Sequence, residues 1–198
     1  TFDIKKPKIK LTIKKNIPVQ SGLGSGSSNA ASIFKILEKL NIYKLENIFD
    51  SSIIGTDIPI FLNNKDCLVT GKGDKITNLK FPKYFFLLVK PITDCSTKDM
   101  YSKIKINQLD ETYKSELEEI QENDNGNDFE NYIRKNNSEI ENILDTLNSM
   151  ENVIFSRLTG SGSCCFAVFV KKEDALLANI KFQKKHPSLW SCVVENNN

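Results

Sequence analysis

The sequence predicts an α+β protein of two domains, and three observations carry that reading. Near the N-terminus a strand-like stretch passes through a glycine-rich loop into an amphipathic helical pattern. "KYFFLLVKP", Lys83 to Pro91, is a continuous apolar run of the kind found in strands buried on both faces. From Lys83 onward the chain then reads strand, helices, strand, strand, helix, strand, the order of a ferredoxin-like α/β sandwich. A division near residue 79 gives domains 1–78 and 79–198.

Composition narrows the function classes. The chain has 198 residues, 39% hydrophobic with 12 Phe, enough for a substantial core. A net charge of +2 fits neither a nucleic-acid specialist nor an acidic tail, so nucleic acid is not the expected partner. Cys67, Cys95, Cys164, Cys165 and Cys192 show no C-x-x-C spacing, which argues against a disulfide framework or a zinc site and for a reducing, cytoplasmic setting. No apolar run approaches the roughly 20 residues of a membrane helix, and no signal-peptide pattern is present. Thr1 is not an initiator methionine, which points to a chain that begins part-way through a longer protein.

The elements follow in order. Ile9, Leu11 and Ile13 alternate with Lys10, Thr12 and Lys14, the period of a strand. Ala30, Ile33, Phe34, Leu37 and Leu40 recur at helical spacing, so a helix is predicted over 29–40 with Ser27, Ser28 and Asn29 as capping residues. A short helix and a turn at Gly55–Pro59 come next, then a hairpin through Gly71–Gly73. A polar helical region fills about 97 to 149, and "QENDNGND" within it reads as a local turn. "SRLTGSGSCCFAVFV" gives strand, glycine loop and strand, "KEDALLANIKFQKKH" a helix, and "LWSCVVE" the final strand.

Between the first strand and helix lies "PVQSGLGSGSS": Pro18, Val19, Gln20, Ser21, Gly22, Leu23, Gly24, Ser25, Gly26, Ser27 and Ser28. A plain connecting loop and a phosphate cradle share this composition. The flanking elements favour the cradle, because a helix start offers unpaired N–H groups and about half a positive charge to an anion. The stretch lacks the lysine of G-x-x-x-x-G-K-[ST] and the glycine spacing of a dinucleotide fingerprint.

The stretch resembles the ATP-binding motif of the GHMP kinases, the superfamily of galactokinase, homoserine kinase, mevalonate kinase and phosphomevalonate kinase. Pro18, Gly22, Leu23, Gly24, Ser27 and Ser28 fit Pro-x-x-x-Gly-Leu-Gly-Ser-Ser once an extra Ser-Gly is allowed. The longer form is similar to the branch that phosphorylates 4-diphosphocytidyl-2-C-methyl-D-erythritol in non-mevalonate isoprenoid precursor synthesis. "GTDIPIFL", "PITDCSTKDMY" and "RLTGSGSCCFAVF" resemble that branch's further motifs in the right order, so the likeness runs from Pro18 to Phe169.

The resemblance implies the GHMP kinase two-domain fold, ATP and Mg²⁺ as cofactors, and a small-molecule alcohol, linked to cytidine diphosphate, as acceptor. It makes Asp57 the catalytic carboxylate that orients or deprotonates the acceptor hydroxyl; by itself Asp57 reads more readily as a turn aspartate before Pro59. It assigns Pro18 to Ser28 to the nucleotide phosphates. It places Thr97 and Tyr101, one helical turn apart, near the cytidine end of the substrate, and Gly160, Ser161 and Gly162 at the active site as a second glycine loop. Helix capping and an ordinary hairpin turn are the plainer accounts of these last five. Mg²⁺ ligands and oligomeric state are not assigned. The family's N-terminal strand, with its catalytic lysine and its aromatic–histidine pair, has no counterpart after Thr1, so those roles fall to no residue here and a chain without them is expected to be poorly stable. Two alternatives stay open: another small-molecule GHMP kinase, or a non-catalytic remnant of the fold that binds protein or RNA through the lysine-rich residues 5–15.

Overall fold

The computed structural model describes residues 8–71, 73, 75–103 and 126–196. They form two compact units. One takes the residues up to Ile17 together with Gly24–Lys80; the other takes Pro18–Leu23 together with Phe81–Asn198.

The first unit is mostly helical. Helix α1 (Ser25–Lys39) is followed by a 3-10 helix (Ile48–Ile53), α2 (Ile58–Asn63) and an antiparallel hairpin, β1 (Cys67–Thr70) with β2 (Lys75–Asn78). Its core is small: Ala31 and Phe34 of α1 pack on Ile58 of α2, with Tyr43, Leu45, Phe61 and Leu62 at the margin. The spacing that predicted a helix from residue 29 holds, but the helix starts four residues earlier. Of the strand expected over residues 1–15, residues 8–15 form none, and residues 1–7 lie outside the described residues. Alternation says which side chains would share a face; a strand also needs a neighbour to take its N–H and C=O groups. Ile9, Leu11 and Ile13 are 38%, 50% and 51% exposed.

The second unit is the predicted α/β sandwich. Its strands are β3 (Phe85–Lys90), β4 (Ser156–Leu158), β5 (Cys165–Phe169) and β6 (Trp190–Glu195), in the spatial order β4-β5-β3-β6 and antiparallel throughout. Helices α3 (Thr97–Lys103), α4 (Glu130–Asn136) and α5 (Ser138–Asn148) lie between the first two strands of this unit, and α6 (Lys172–Lys185) between the last two. Of the polar helical region, residues 104–125 lie outside the described residues. One sheet face packs Leu87, Val89, Cys165, Ala167 and Phe169 against Ile140, Ile143, Leu144, Leu147, Ala175 and Phe182. The opposite face carries the alternate residues. There Phe166 meets Phe86 and Phe155 at ring distances of 6.1 and 6.0 Å. β3 was expected to be buried on both faces; Leu87 and Val89 are fully buried, whereas Phe86 and Leu88 are half-buried.

Candidate active site

The glycine-rich loop ends where α1 begins. Gly24 is the N-cap, in the left-handed region at φ 62°, and no side chain caps the helix. This corrects the expectation that Ser27, Ser28 and Asn29 cap it: they lie inside the helix, and Ser28 N already donates to Gly24 O at 2.9 Å. Gly24 displaces them because its conformation is one that glycine reaches without strain, and because a Cβ there would stand 2.7 Å from the Phe61 ring. Helix geometry then leaves the amides of Ser25, Gly26 and Ser27 without intrahelical acceptors. No carboxylate occupies the first turn to compete for the positive end of the dipole. A Cβ on Gly26 would meet nothing within 4 Å, so the approach to these amides is open.

Asp57 lies in the same unit as α1. It is the N-cap of α2, with φ −88° and ψ −9°, yet it makes no capping hydrogen bond, and Pro59 in the first turn has no N–H to offer. Its carboxylate is exposed, with the Thr56 hydroxyl 3.4 Å away. Asp57 does lie in a turn, closed by Ile58 N donating to Gly55 O at 3.0 Å, but its side chain caps nothing. The preceding Gly55 lies beside the first turn of α1, where its Cβ position is 3.8 Å from the Ser27 hydroxyl. Asp57 is therefore carried on a turn that runs alongside the uncapped helix start.

The other half of the glycine loop belongs to the second unit. There Pro18–Leu23 packs on the Thr159–Gly162 loop. Ser21 is buried, and its carbonyl accepts from the Thr159 hydroxyl at 2.9 Å and from Cys164 N at 3.1 Å. Gly22 has φ 71°, and a Cβ on it would come within 2.3 Å of Thr159 O and 2.9 Å of Gly162 O. Of the residues predicted near the acceptor, Thr97 and Ser161 meet, hydroxyl to hydroxyl, at 2.9 Å. Tyr101 is 59% exposed and sets its ring edge-on to Phe129 at 5.0 Å, which leaves much of its surface free to stack.

Several residues that order this unit look like ordinary surface charges in the sequence. Lys90 is buried, and its ammonium donates to Pro91 O at 2.8 Å, Thr93 O at 3.1 Å and Asp94 Oδ1 at 2.9 Å. Glu139 accepts from the amides of Ile92 and Thr93 at 2.8 and 3.0 Å and from the Thr93 hydroxyl. Together they fix the turn that leads into α3 and Thr97. Burial pushes the Glu139 carboxyl up, but the Thr93 hydroxyl, these amides and Lys90 outweigh it and hold the group below its ordinary value. Glu130 is buried as well, accepting from Leu158 N at 2.9 Å and pairing with Arg134 at 3.2 Å. Asn127, inside the stretch read as a local turn, reaches the same loop. Only its place a few residues before a helical pattern hinted at it. Cys164 and Cys165 are both fully buried, as expected of structural thiols, and burial pushes the Cys164 thiol up to about 12. Among the described residues no group of His, Cys, Asp and Glu is arranged to hold a metal, and no helix is long and apolar enough to cross a membrane.

Comparison with known proteins identifies the family. The profile of the GHMP kinases N terminal domain matches residues 2–62, and that of the GHMP kinases C terminal domain matches residues 109–183. The chain is 31% identical over 197 residues to 4-diphosphocytidyl-2-C-methyl-D-erythritol kinase of Wolbachia sp. subsp. Drosophila simulans, covering 93% of this chain and 67% of that protein. It is 36% identical over 168 residues to the kinase of the same name from Wigglesworthia glossinidia brevipalpis, covering 82% of this chain and 53% of that one. Among solved structures, a 4-(cytidine 5'-diphospho)-2C-methyl-D-erythritol kinase superposes with a TM-score of 0.71 at 20% identity, over 93% of this chain and 70% of that one. Homoserine kinase from Cytophaga hutchinsonii shares the fold at a TM-score of 0.55 and 15% identity, over 92% of this chain and 68% of that one.

Proposed function

The chain belongs to the GHMP kinases, and from that premise we propose that it transfers the γ-phosphoryl group of ATP to a hydroxyl of 4-diphosphocytidyl-2-C-methyl-D-erythritol. The carrying observation is the uncapped, acid-free start of α1 behind Gly24, in a chain whose relatives at 31% and 36% identity bear that enzyme's name. Phosphoryl transfer asks the protein for positioning and charge stabilisation more than for covalent chemistry. Within Pro18 to Ser28, the free main-chain amides of Ser25, Gly26 and Ser27 supply the first on the polyphosphate. Asp57 orients the acceptor hydroxyl and takes up its proton as the P–O bond forms. Gly160, Ser161 and Gly162, with Thr97, hold the acceptor side, and Tyr101 stacks on the cytosine.

The donor set also fits magnesium. The hydroxyls of Ser27 and Ser28, in the first turn of α1, are hard oxygen ligands of the kind Mg²⁺ takes. Held by these hydroxyls, Mg²⁺ would supply charge neutralisation of the phosphates. We divide the chain near residue 79, which the family profiles on either side of it support. We place the reaction in a cytoplasmic compartment, in keeping with five free cysteines.

The test is turnover with Mg·ATP on a panel of 4-diphosphocytidyl-2-C-methyl-D-erythritol, homoserine and mevalonate, for the native chain and for Asp57→Asn. The cytidyl substrate should be the one consumed. Asp57→Asn should cut kcat by about 10²- to 10⁴-fold while KM for Mg·ATP stays within about twofold. Unchanged kcat in Asp57→Asn would refute its role, and preference for another alcohol would refute the substrate.

A further inference from the structure

We propose that Asn127 is a positioning residue, which sets the Leu158–Gly162 loop and, through it, the Gln20–Gly22 part of the glycine loop. Its side-chain NH₂ donates to Leu158 O at 2.9 Å and to Gly160 O at 2.8 Å, the carbonyls on either side of Thr159. Its Oδ1 accepts from Phe129 N at 2.9 Å. Both donors and an acceptor are thus engaged. Turning the amide over would aim Oδ1 at two carbonyl oxygens and the NH₂ at the Phe129 amide, so the partners fix its orientation.

The strand end it holds is gripped from a second side. Leu158 N donates to Glu130 Oε2 at 2.9 Å, and Glu130 N donates to Asn127 O at 2.8 Å. The short run 127–130 therefore takes the amide of Leu158 and the carbonyls of Leu158 and Gly160 together. Thr159, bracketed by these bonds, is the residue whose hydroxyl reaches Ser21 O at 2.9 Å and whose carbonyl presses on Gly22. Rotation of the Leu158–Thr159 peptide would break the Asn127 bond to Leu158 O and withdraw that hydroxyl, and rotation of the Gly160–Ser161 peptide would break the bond to Gly160 O. The inference that this pose serves nucleotide binding rests on the function proposed above; the inference that Asn127 sets the pose does not.

A purely local role makes a different prediction. As an Asx turn opening α4, Asn127 needs only an oxygen for Phe129 N, and aspartate serves as well. As a clamp on the loop it needs the NH₂. Asn127→Asp keeps the turn and sets a charge against two carbonyls; Asn127→Ser also keeps an acceptor but is too short to span Leu158 and Gly160.

The experiment is amide hydrogen exchange on the full chain, alongside steady-state kinetics, for the native protein and both variants. In either variant, exchange at Thr159, Gly162 and Cys164 should quicken by about tenfold or more, with α5 and α6 unchanged. KM for Mg·ATP should rise by about tenfold, with kcat changed much less. Native protection of these amides in Asn127→Asp would overturn the clamp and leave a helix-opening turn; Asn127→Ser decides the same question if the aspartate variant does not fold. Faster exchange with KM unchanged would overturn the link to nucleotide binding. A native chain that turns over no substrate would refute the proposed reaction instead, and Asn127 would then be judged on exchange and on Mg·ATP binding read by melting.

Discussion

Replacing Gly22 by alanine should loosen the second unit by an amount the structure lets one work out. The methyl group would start 2.3 Å from Thr159 O and 2.9 Å from Gly162 O, both main-chain atoms that no rotamer change can move aside. Relief requires the Gln20–Gly22 segment to back away by about 1 Å, given that carbon and oxygen prefer about 3.4 Å or more. At that separation the two bonds to Ser21 O, from the Thr159 hydroxyl and from Cys164 N, are lost. Each is worth about 1 kcal/mol net. A non-glycine residue at φ 71° adds about 1–2 kcal/mol. The sum, about 3–4 kcal/mol, corresponds to a fall in melting temperature of about 10 °C for a chain of this size. Thermal melting and exchange at the Cys164 amide measure it directly, and Mg·ATP affinity should fall with them. A Gly22→Ala variant with native melting and native Cys164 protection would refute the close-approach argument.

Gly26→Ala should do the reverse to stability: its Cβ meets nothing within 4 Å and alanine is the better helix former, so the fold gains up to about 1 kcal/mol. The methyl group then occupies the approach to the α1 amides, so KM for Mg·ATP should rise; a variant that is more stable with KM unchanged would move the phosphates elsewhere. Glu139 makes stability depend on acid. Its folded-state value lies below the ordinary 4.5, so the folded chain binds this proton less tightly than the unfolded one. The contribution is present above 4.5 and is lost as pH falls through the lower folded value. Urea unfolding from about pH 5 to about pH 3 should therefore fall more steeply for the native chain than for Glu139→Gln, and equal slopes would contradict the assignment. Cys164, fully buried with its thiol pushed up to about 12, should resist alkylation at about pH 8 while half-buried Cys192 reacts, as mass spectrometry of the labelled native chain would show.

Much of this site was legible because its constraints fall on residue types with few other uses. Gly22 and Gly24 mark places where the backbone takes a left-handed turn against a close neighbour, and glycine alone fits there without strain. The sandwich was legible because strand and helix periods alternate cleanly from Lys83 onward. The misplaced start of α1 has the same root: capping rules point to Ser27–Asn29, but here a left-handed glycine begins the helix with no side-chain cap. The residues 8–15 misled because alternation is a property of one segment, whereas pairing belongs to two. Lys90, Glu130, Glu139 and Asn127 stayed hidden because a charged or polar residue holding main-chain groups inside a fold has the same letter as one in water. For three of them the partners are also distant in sequence, with Glu130 and Leu158 28 residues apart, Asn127 and Gly160 33 apart and Thr93 and Glu139 46 apart.

The division of the glycine loop between two units has a consequence for how the chain assembles. The residues up to Ile17 and those from Gly24 go with one unit, but Pro18–Leu23 goes with the other, so the chain crosses from one unit to the other before and after that short segment and again at Lys80. The contact that seats the segment joins residues 138 apart, a closure that costs about 4 kcal/mol of chain entropy. During synthesis Ser21 emerges long before Thr159 and Cys164, whose hydroxyl and amide it will accept. A C-terminal half begun at Phe81 would be born without the strip that takes those two groups. The C-terminal unit is thus completed by residues made near the start, through a long-range closure that raises the contact order and so slows folding.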